Sequence, residues 1–149
     1  MYQHILIATD GSETAGKGLD HGLTLARALG AKVTIITVTE AFPLYAASAG
    51  EAWVAPVELD TEYEARQKER AEGILKDARE AADRMGVSAE VLHVPGSLPA
   101  EAIVEAARSR DCSLICMSSH GRRGLGRLLL GSQTAEVLAH SPVPVLVVR

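Results

Sequence analysis

Apolar residues in this chain follow two spacings that alternate from one end to the other. Short apolar runs rich in β-branched residues predict strands, and between them apolar residues recur at every third or fourth position, as on one face of a helix. The predicted strands are His4–Thr9, Lys32–Thr39, Ser88–Val94, Ser113–Ser118 and Val143–Val148. The predicted helices have their apolar faces at Leu19, Leu23, Ala26 and Leu29, at Ala71, Ile74, Leu75, Ala78, Ala82 and Met85, at Ile103, Val104 and Ala107, and within Ser132–Ala139.

Strands that alternate with helices, and that are nearly uniform in apolar character, indicate a parallel sheet covered on both faces. We therefore expect residues 1–149 to form one doubly wound, Rossmann-like α/β domain with a five-stranded parallel sheet. Such sheets bind ligands at the carboxyl ends of their strands, where the chain order switches sides. Three segments should meet there: the turn at Thr9, Asp10 and Gly11, the end of the second strand at Val38 and Thr39, and the loop after the fourth strand.

Composition narrows the class of protein. Hydrophobic residues make up 47% and charged residues 23% of the 149 positions, a balance typical of a globular domain that needs no disulfide or metal to fold. The formal charge of −4 argues against nucleic acid as a partner, because that binding needs a basic face. The apolar run after Met1 is too short for a signal peptide or a membrane span, which predicts a cytoplasmic protein.

Two cysteines, Cys112 and Cys116, flank the fourth predicted strand. Four residues apart on a strand, they would share a face at a separation of about 13 Å, too far for a disulfide. We expect both to be small buried hydrophobic residues.

The stretch SSHGRRGLGRLLLGS, residues 118–132, is too rich in glycine for a helix and too long for a turn. Glycine allows backbone N–H groups to approach a ligand closely, and the helix that starts at Ser132 offers unpaired N–H groups and the positive end of a dipole. Arg122, Arg123 and Arg127 could neutralise charge, so the loop suits a phosphate. A solvated glycine loop is the alternative. Neither a P-loop motif nor a G-x-G-x-x-G after the first strand is present.

The whole chain resembles the universal stress protein family, in its ATP-binding branch. The resemblance is carried by ILIATDGSE, VTIITV, VPGSLPAEAI and ICMSSHGRRGLGRLLLGSQTAEVLAHSPVPVLVV. The nucleotide motif of that family, G-x2-G-x9-G-[ST], matches at Gly121, Gly131 and Ser132, while Ser118 replaces the first glycine. This replacement bears on the affinity more than on the existence of the site.

The resemblance implies a role for each residue of the predicted nucleotide site. Asp10 would contact the ribose or a phosphate-bound metal, Thr9 would shape the first loop, and the backbone of Val38 would pair with the adenine edge. Backbone N–H groups and the Ser132 hydroxyl would hold the phosphates. The full set is Thr9, Asp10, Val38, Met117, Ser118, Gly121, Gly131, Ser132, Gln133 and Thr134.

Several of these residues also have simpler structural interpretations. An Asp before Gly often bonds its own backbone, which applies to Asp10. Met117 can be a core residue instead of an adenine contact, and Thr134 can reach a phosphate or cap its helix. His120, inside the loop, can contact phosphate or make a structural hydrogen bond.

The expected function is that of an ATP-binding regulatory module of the stress response, with Mg²⁺ or Mn²⁺ held mainly by the phosphates near Asp10. The five histidines lack ligand spacing, so no metal site made of protein groups is expected. No activated nucleophile is visible, although a slow ATPase or phosphotransferase is an alternative because phosphoryl transfer depends mostly on positioning. A dimeric scaffold without nucleotide is a third hypothesis.

The fifth predicted strand, Val143–Val148, should form an aliphatic outer edge of the sheet, and such edges tend to pair with another chain. Pro144 removes one backbone donor but leaves the remainder open. The simplest closed assembly is a two-fold homodimer in which fifth strands meet antiparallel, and the family resemblance implies the same. The expected interface residues are Val143, Val145, Leu146, Val147 and Val148.

Overall fold

The computed structural model describes residues 1–42, 57–120 and 130–149. Five strands and four helices alternate along these residues. The strands are β1 (His4–Ala8), β2 (Lys32–Thr39), β3 (Ala89–Pro95), β4 (Leu114–Ser118) and β5 (Val145–Val148). The helices are α1 (Glu13–Leu29), α2 (Val57–Arg84), α3 (Pro99–Ser109) and α4 (Ser132–His140).

The strands form one parallel sheet in the order β3-β2-β1-β4-β5. The chain therefore builds outward from β1 to β3 on one side and then crosses to β4 and β5 on the other side. This confirms the predicted doubly wound α/β fold with β5 at an outer edge. The order reverses between β1 and β4, so the crevice at their carboxyl ends is the expected place for a ligand.

Aliphatic side chains fill both faces of the sheet, as alternation along a strand requires. On one face Ile5, Ile7 and Ile35 pack against α1 and α2, and on the other face Leu6 and Ile36 pack against α3 and α4. All five side chains have 0–1% of their surface exposed. Helices thus cover both faces, as the nearly continuous apolar character of the strands predicted.

Local signals in the sequence explain where the first helix begins and ends. The Ser12 hydroxyl accepts the amide of Ala15 at 3.1 Å and caps α1, which ends at Gly30 in the left-handed conformation (φ 64°). The prediction that Leu29 packs inside is wrong, because this last residue of α1 lies beyond the sheet with 48% of its surface exposed.

Both cysteines are free and buried, as predicted. The expectation that they share one face of a strand is wrong, since Cys112 precedes β4 and packs on the α3 side, whereas Cys116 faces α1. Burial raises the pKa of each thiol to about 11, so both stay protonated at neutral pH and neither is an activated nucleophile.

No helix in the described ranges combines the length and the apolar character that crossing a membrane would require.

Gly22 allows α1 to approach the sheet closely. A Cβ atom at this position would lie 2.6 Å from Cδ1 of Ile7 and 3.3 Å from Sγ of Cys116, and both neighbours are fully buried. We predict that Gly22→Val lowers the free energy of unfolding by about 2 kcal/mol through overpacking. Gly16→Val, on the same helix but with no atom within 4 Å of the added Cβ, should change it by less than about 0.5 kcal/mol. Urea denaturation of both variants measures the difference, and equal effects would contradict this account.

Candidate functional site

A cavity of about 540 Å³ opens at the carboxyl ends of the strands. Its walls are the loop after β1, the end of β2, the N-terminal half of α2 and the N-terminal ends of α3 and α4. This volume lies within the range of pockets that enclose small molecules and cofactors. Nine of the ten predicted site residues line it: Thr9, Asp10, Val38, Met117, Ser118, Gly131, Ser132, Gln133 and Thr134. The tenth, Gly121, lies outside the described residues, as do the arginines 122, 123 and 127.

The first loop turns sharply between β1 and α1. One Asp10 carboxylate oxygen accepts the backbone amide of Ser12 at 2.9 Å, and the Thr9 hydroxyl accepts that of Gly11 at 3.2 Å. Asp10 therefore does bond its own backbone, as a turn residue does. The same carboxylate lines the cavity. The structural role and a ligand-binding role are compatible.

Gly11 sets the distance between this loop and α2. Its φ of 76° is in the left-handed region, and a Cβ atom would lie 2.7 Å from Cγ1 of Ile74. Any other residue would be strained in its backbone and would push α2 away. Ile74, which lines the cavity, therefore lies directly against Gly11.

The backbone of Val38 points into the crevice. The Ile36 carbonyl accepts the amide of Thr9 on the β1 side, whereas the Thr39 carbonyl accepts the amide of Ser97 on the β3 side. Because successive residues of a strand direct their backbone groups to opposite edges, Val38 faces the same side as Ile36. Yet β1 ends at Ala8, opposite Ile36. In the described ranges, the N–H and C=O of Val38 have no strand partner on that side and can pair with the edge of a flat ligand.

Ser118, which replaces the first glycine of the family motif, stabilises the chain as it leaves β4. Its hydroxyl donates to the carbonyl of His120 at 2.7 Å, and the Ser119 hydroxyl lies 3.0 Å from Nδ1 of His120. His120 thus makes the structural hydrogen bond that was one of its two interpretations. Nε2 of His120 is buried and has no hydrogen-bond partner within the described part of the chain. Met117 is 6% exposed and packs in the core, and it also lines the cavity; its contact with an adenine stays a prediction.

Gly131 brings the start of α4 against the end of β4. Its amide donates to the Ser119 carbonyl at 2.9 Å, so the protein itself engages this N–H; that it contacts a phosphate stays a prediction. Its backbone angles, φ −61° and ψ 149°, suit any residue. Glycine is instead required by space, because a Cβ atom would lie 3.0 Å from the Ser119 carbonyl oxygen.

The first turn of α4 presents its amides toward the cavity. Gly131 is the N-cap and makes no side-chain cap bond, so the N–H groups of Ser132, Gln133 and Thr134 have no partner in the helix. None of the described residues accepts a hydrogen bond from them. These amides, the Ser132 hydroxyl and the positive end of the helix dipole form an arrangement that favours an anion.

Two side chains of this turn have structural roles. The Thr134 hydroxyl is 2% exposed and lies 3.1 and 3.2 Å from the carbonyls of Ser118 and Ser119, to which it donates. It is therefore neither the helix cap nor a phosphate ligand through its side chain, the two roles that the sequence left open. Oε1 of Gln133 accepts the amide of Ala100 at 3.0 Å and caps the start of α3. The Nε2 donors of Gln133 make no hydrogen bond with the described residues.

Helix α2 contributes a wall that the sequence analysis missed. Tyr63, Gln67, Arg70 and Ile74 form a stripe that lines the cavity, with Nε2 of Gln67 donating to the Tyr63 hydroxyl at 2.7 Å. The length of α2 explains why it reaches the cavity. Its 28 residues span about 42 Å, whereas the eight residues of β2 span about 26 Å. A helix that long projects past the end of the sheet.

The described lining of the cavity contains few charged side chains. Asp10 and Glu40 are the acidic residues of its described lining, and Arg70 is the basic one. His93 is on β3 and is not one of the residues that line the cavity. Its Nε2 lies 2.8 Å from Oγ1 of Thr39. Burial lowers the pKa of His93. The charge of Glu72 raises this pKa and that of Lys68 lowers it, but burial has the largest effect, so the histidine is neutral at pH 7. No three His, Cys, Asp or Glu side chains in the described ranges are grouped so as to hold a metal ion.

The fold is a doubly wound parallel α/β domain with a cavity at the switch point, and no described residue accepts a hydrogen bond from the helix amides beside it. A model of the universal stress protein family matches residues 1–149, and the chain belongs to this family. It is 36% identical over 152 residues to the universal stress protein YxiE of Bacillus subtilis, with full coverage of both chains.

Solved structures agree with this assignment. The structure of MJ0577 from Methanocaldococcus jannaschii matches with a TM-score of 0.80 at 30% identity, over 99% of this chain and 96% of that one. A universal stress protein solved in complex with cAMP matches with a TM-score of 0.69 at 28% identity, over 99% of this chain and 97% of that one. The predicted family and fold are confirmed.

The buried Thr134 hydroxyl fastens the start of α4 to β4. We predict that Thr134→Val, which keeps the shape but removes the donor, lowers the free energy of unfolding by about 1–3 kcal/mol because two buried carbonyls lose a hydrogen-bond partner. Thr134→Ser keeps the hydroxyl and should recover the part of the loss that comes from the hydrogen bonds. Denaturant titration compares the two, and a valine variant as stable as the wild type would contradict this role.

Proposed function

We propose that this protein binds ATP in the cavity at the carboxyl edge of the sheet and acts as a nucleotide-dependent regulatory module of the stress response. The observation that carries the proposal is the first turn of α4, whose three amides and Ser132 hydroxyl face a cavity of nucleotide size. A relative with 28% identity holds cAMP, an adenine nucleotide, which supports the same ligand class here. The nucleotide-binding domain would span residues 1–149, and the cytoplasmic location stays a prediction.

Each end of the nucleotide has a group that suits it. The phosphates would bind to the amides of Ser132, Gln133 and Thr134, where the helix dipole is positive. The base would pair with the exposed backbone of Val38, which offers one donor and one acceptor as an adenine edge requires. Asp10 lies on the loop between these ends, where its carboxylate can accept a ribose hydroxyl or hold a cation on the phosphates.

Mg²⁺ or Mn²⁺ would be held mainly by the phosphates. The described residues offer oxygen donors at Asp10 but no cluster of three ligands, which fits a hard cation that keeps phosphate oxygens and water in its shell. The chain's own contribution is then to orient the nucleotide.

The start of α4 provides the test of the site. A Gly131→Val variant places a branched side chain 3.0 Å from the Ser119 carbonyl, which forces the first turn of α4 away from the position that the ligand needs. We expect calorimetry to show ATP binding by the wild type and its loss in this variant, with a circular dichroism spectrum that is unchanged. Gly73→Val, on an exposed position of α2 with no atom within 4 Å, is the control and should bind normally. Unchanged affinity in the Gly131 variant would refute the site.

The second part of the proposal is a homodimer through β5. Ile115 and Ser119 donate to the carbonyls of Pro144 and Val148, so alternate residues of β5 face β4, and Val145 and Val147 direct their backbone groups outward. The donor that Pro144 lacks is therefore on the inner side, and the outer edge keeps its full set. An open strand edge of this kind favours pairing with a second copy.

Light scattering tests the assembly. The wild type should be a dimer at micromolar concentration, and the double substitution of Val145 and Val147 by lysine should give a monomer of 15.8 kDa. Val145 also packs partly against the α3 and α4 face, so Val147→Pro, which deletes an outward donor and leaves Val145 in place, is the second variant. It should be monomeric with an unchanged far-UV spectrum. A monomeric wild type would rule out the dimer.

A further inference from the structure

Six basic residues lie on α2, and five of them have an acidic residue three or four positions away on the same helix. Arg66 pairs with Glu62 at 3.4 Å and Lys68 with Glu72 at 3.9 Å, for example. Arg70 is the exception: its neighbours at these spacings are Arg66, Gln67, Gly73 and Ile74. Since only positions three and four apart face each other on a helix, Arg70 has no counter-ion of its own on α2.

Tertiary contacts do not supply one within the described ranges. No carboxylate there lies within 4.0 Å of the Arg70 guanidinium. Arg70 lines the cavity, and it is the one Lys or Arg in the described part of that lining. Among the described residues, Arg70 is thus both the basic residue of α2 without a counter-ion on that helix and the Lys or Arg that lines the cavity.

Position along the helix places Arg70 beside the first loop. Ile74 packs directly on Gly11, next to Asp10, and Arg70 is one helical turn toward the N-terminus on the same stripe. Side chains on a helix tilt toward its N-terminus, so Arg70 extends from this contact toward the mouth of the cavity. It lies on the α2 wall, whereas the free amides of α4 lie on the opposite wall.

The negative charge of the ligand's phosphates explains the role of Arg70. A bound ATP would bring the several negative charges of its phosphates into this cavity. Amides and a helix dipole offset only part of a multiple negative charge. A guanidinium can bind a phosphate through two parallel N–H···O bonds, which adds both charge and geometry.

We propose that Arg70 is a ligand-binding residue that makes the site selective for the number of phosphates, favouring ATP over AMP and adenosine. This inference rests on the proposed function and adds to it a residue outside the glycine loop. Its signature is a loss of affinity that grows with phosphate number, because a contact to base or ribose would weaken all these ligands equally.

The test is a calorimetric titration of adenosine, AMP, ADP and ATP into the wild type and three variants. Arg70→Gln should weaken ATP binding about tenfold and leave adenosine within about twofold. Arg70→Lys keeps the charge but loses the planar fork, so its ATP affinity should lie between the two. Arg66→Gln, one turn away on the same helix and outside the cavity lining, is the matched control and should bind ATP as the wild type does. The salt dependence of ATP binding should also be smaller in Arg70→Gln.

Each other outcome overturns the inference in a distinguishable way. Equal losses for adenosine and ATP would assign Arg70 to the base, the ribose or the packing of α2. An unchanged ATP affinity would remove Arg70 from the site while leaving the proposed function intact. A similar loss in Arg66→Gln would show a general effect of helix charge. Failure of the wild type to bind any of the four ligands would refute the proposed function itself.

Discussion

The site depends on the hydrogen bonds that hold the start of α4 against the end of β4. The Ser119 carbonyl accepts both the Gly131 amide and the Thr134 hydroxyl, and this oxygen leaves no space for a side chain at position 131. Two donors on one turn therefore hold the helix against the sheet. Because the turn is anchored through its N-cap residue and a buried side chain, the amides between them remain directed at the cavity.

The opposite wall is set by a contact of a different kind. The Ile74 side chain lies against Gly11 with no room for a Cβ atom there, so α2 packs closely on the first loop. Ile74 lines the cavity on one side, and Ser118 and Gly131 line it near the polar contact at Ser119. Its two walls consequently differ in chemistry: backbone dipoles on the α4 side, and the side chains of Tyr63, Gln67 and Arg70 on the α2 side.

Close packing of a helix on a strand also explains the glycine at position 18, outside the loop. Gly18 on α1 lies against the backbone at Ser118, where a Cβ atom would be 3.1 Å from the amide nitrogen. The helix that precedes the crevice thus packs directly on the strand that ends in it.

What the sequence by itself determined was the fold and the edge of the sheet at which a ligand could bind. Alternating apolar periods, helix caps at Ser12 and Gly30 and uniformly apolar strands are local signals, and they sufficed to predict the parallel doubly wound sheet with β5 outside. The β1 turn, the end of β2 and the start of α4 were also placed at one edge, because the carboxyl ends of parallel strands must coincide. Only the tertiary structure decided how individual groups are used. The Gly131 amide bonds to Ser119 and the Gln133 side chain to Ala100, and the sequence could not predict these pairs because the partners are distant in the chain. The same holds for the α2 wall, since a helical pattern defines its apolar face but not which polar positions overhang the sheet once the helix has packed.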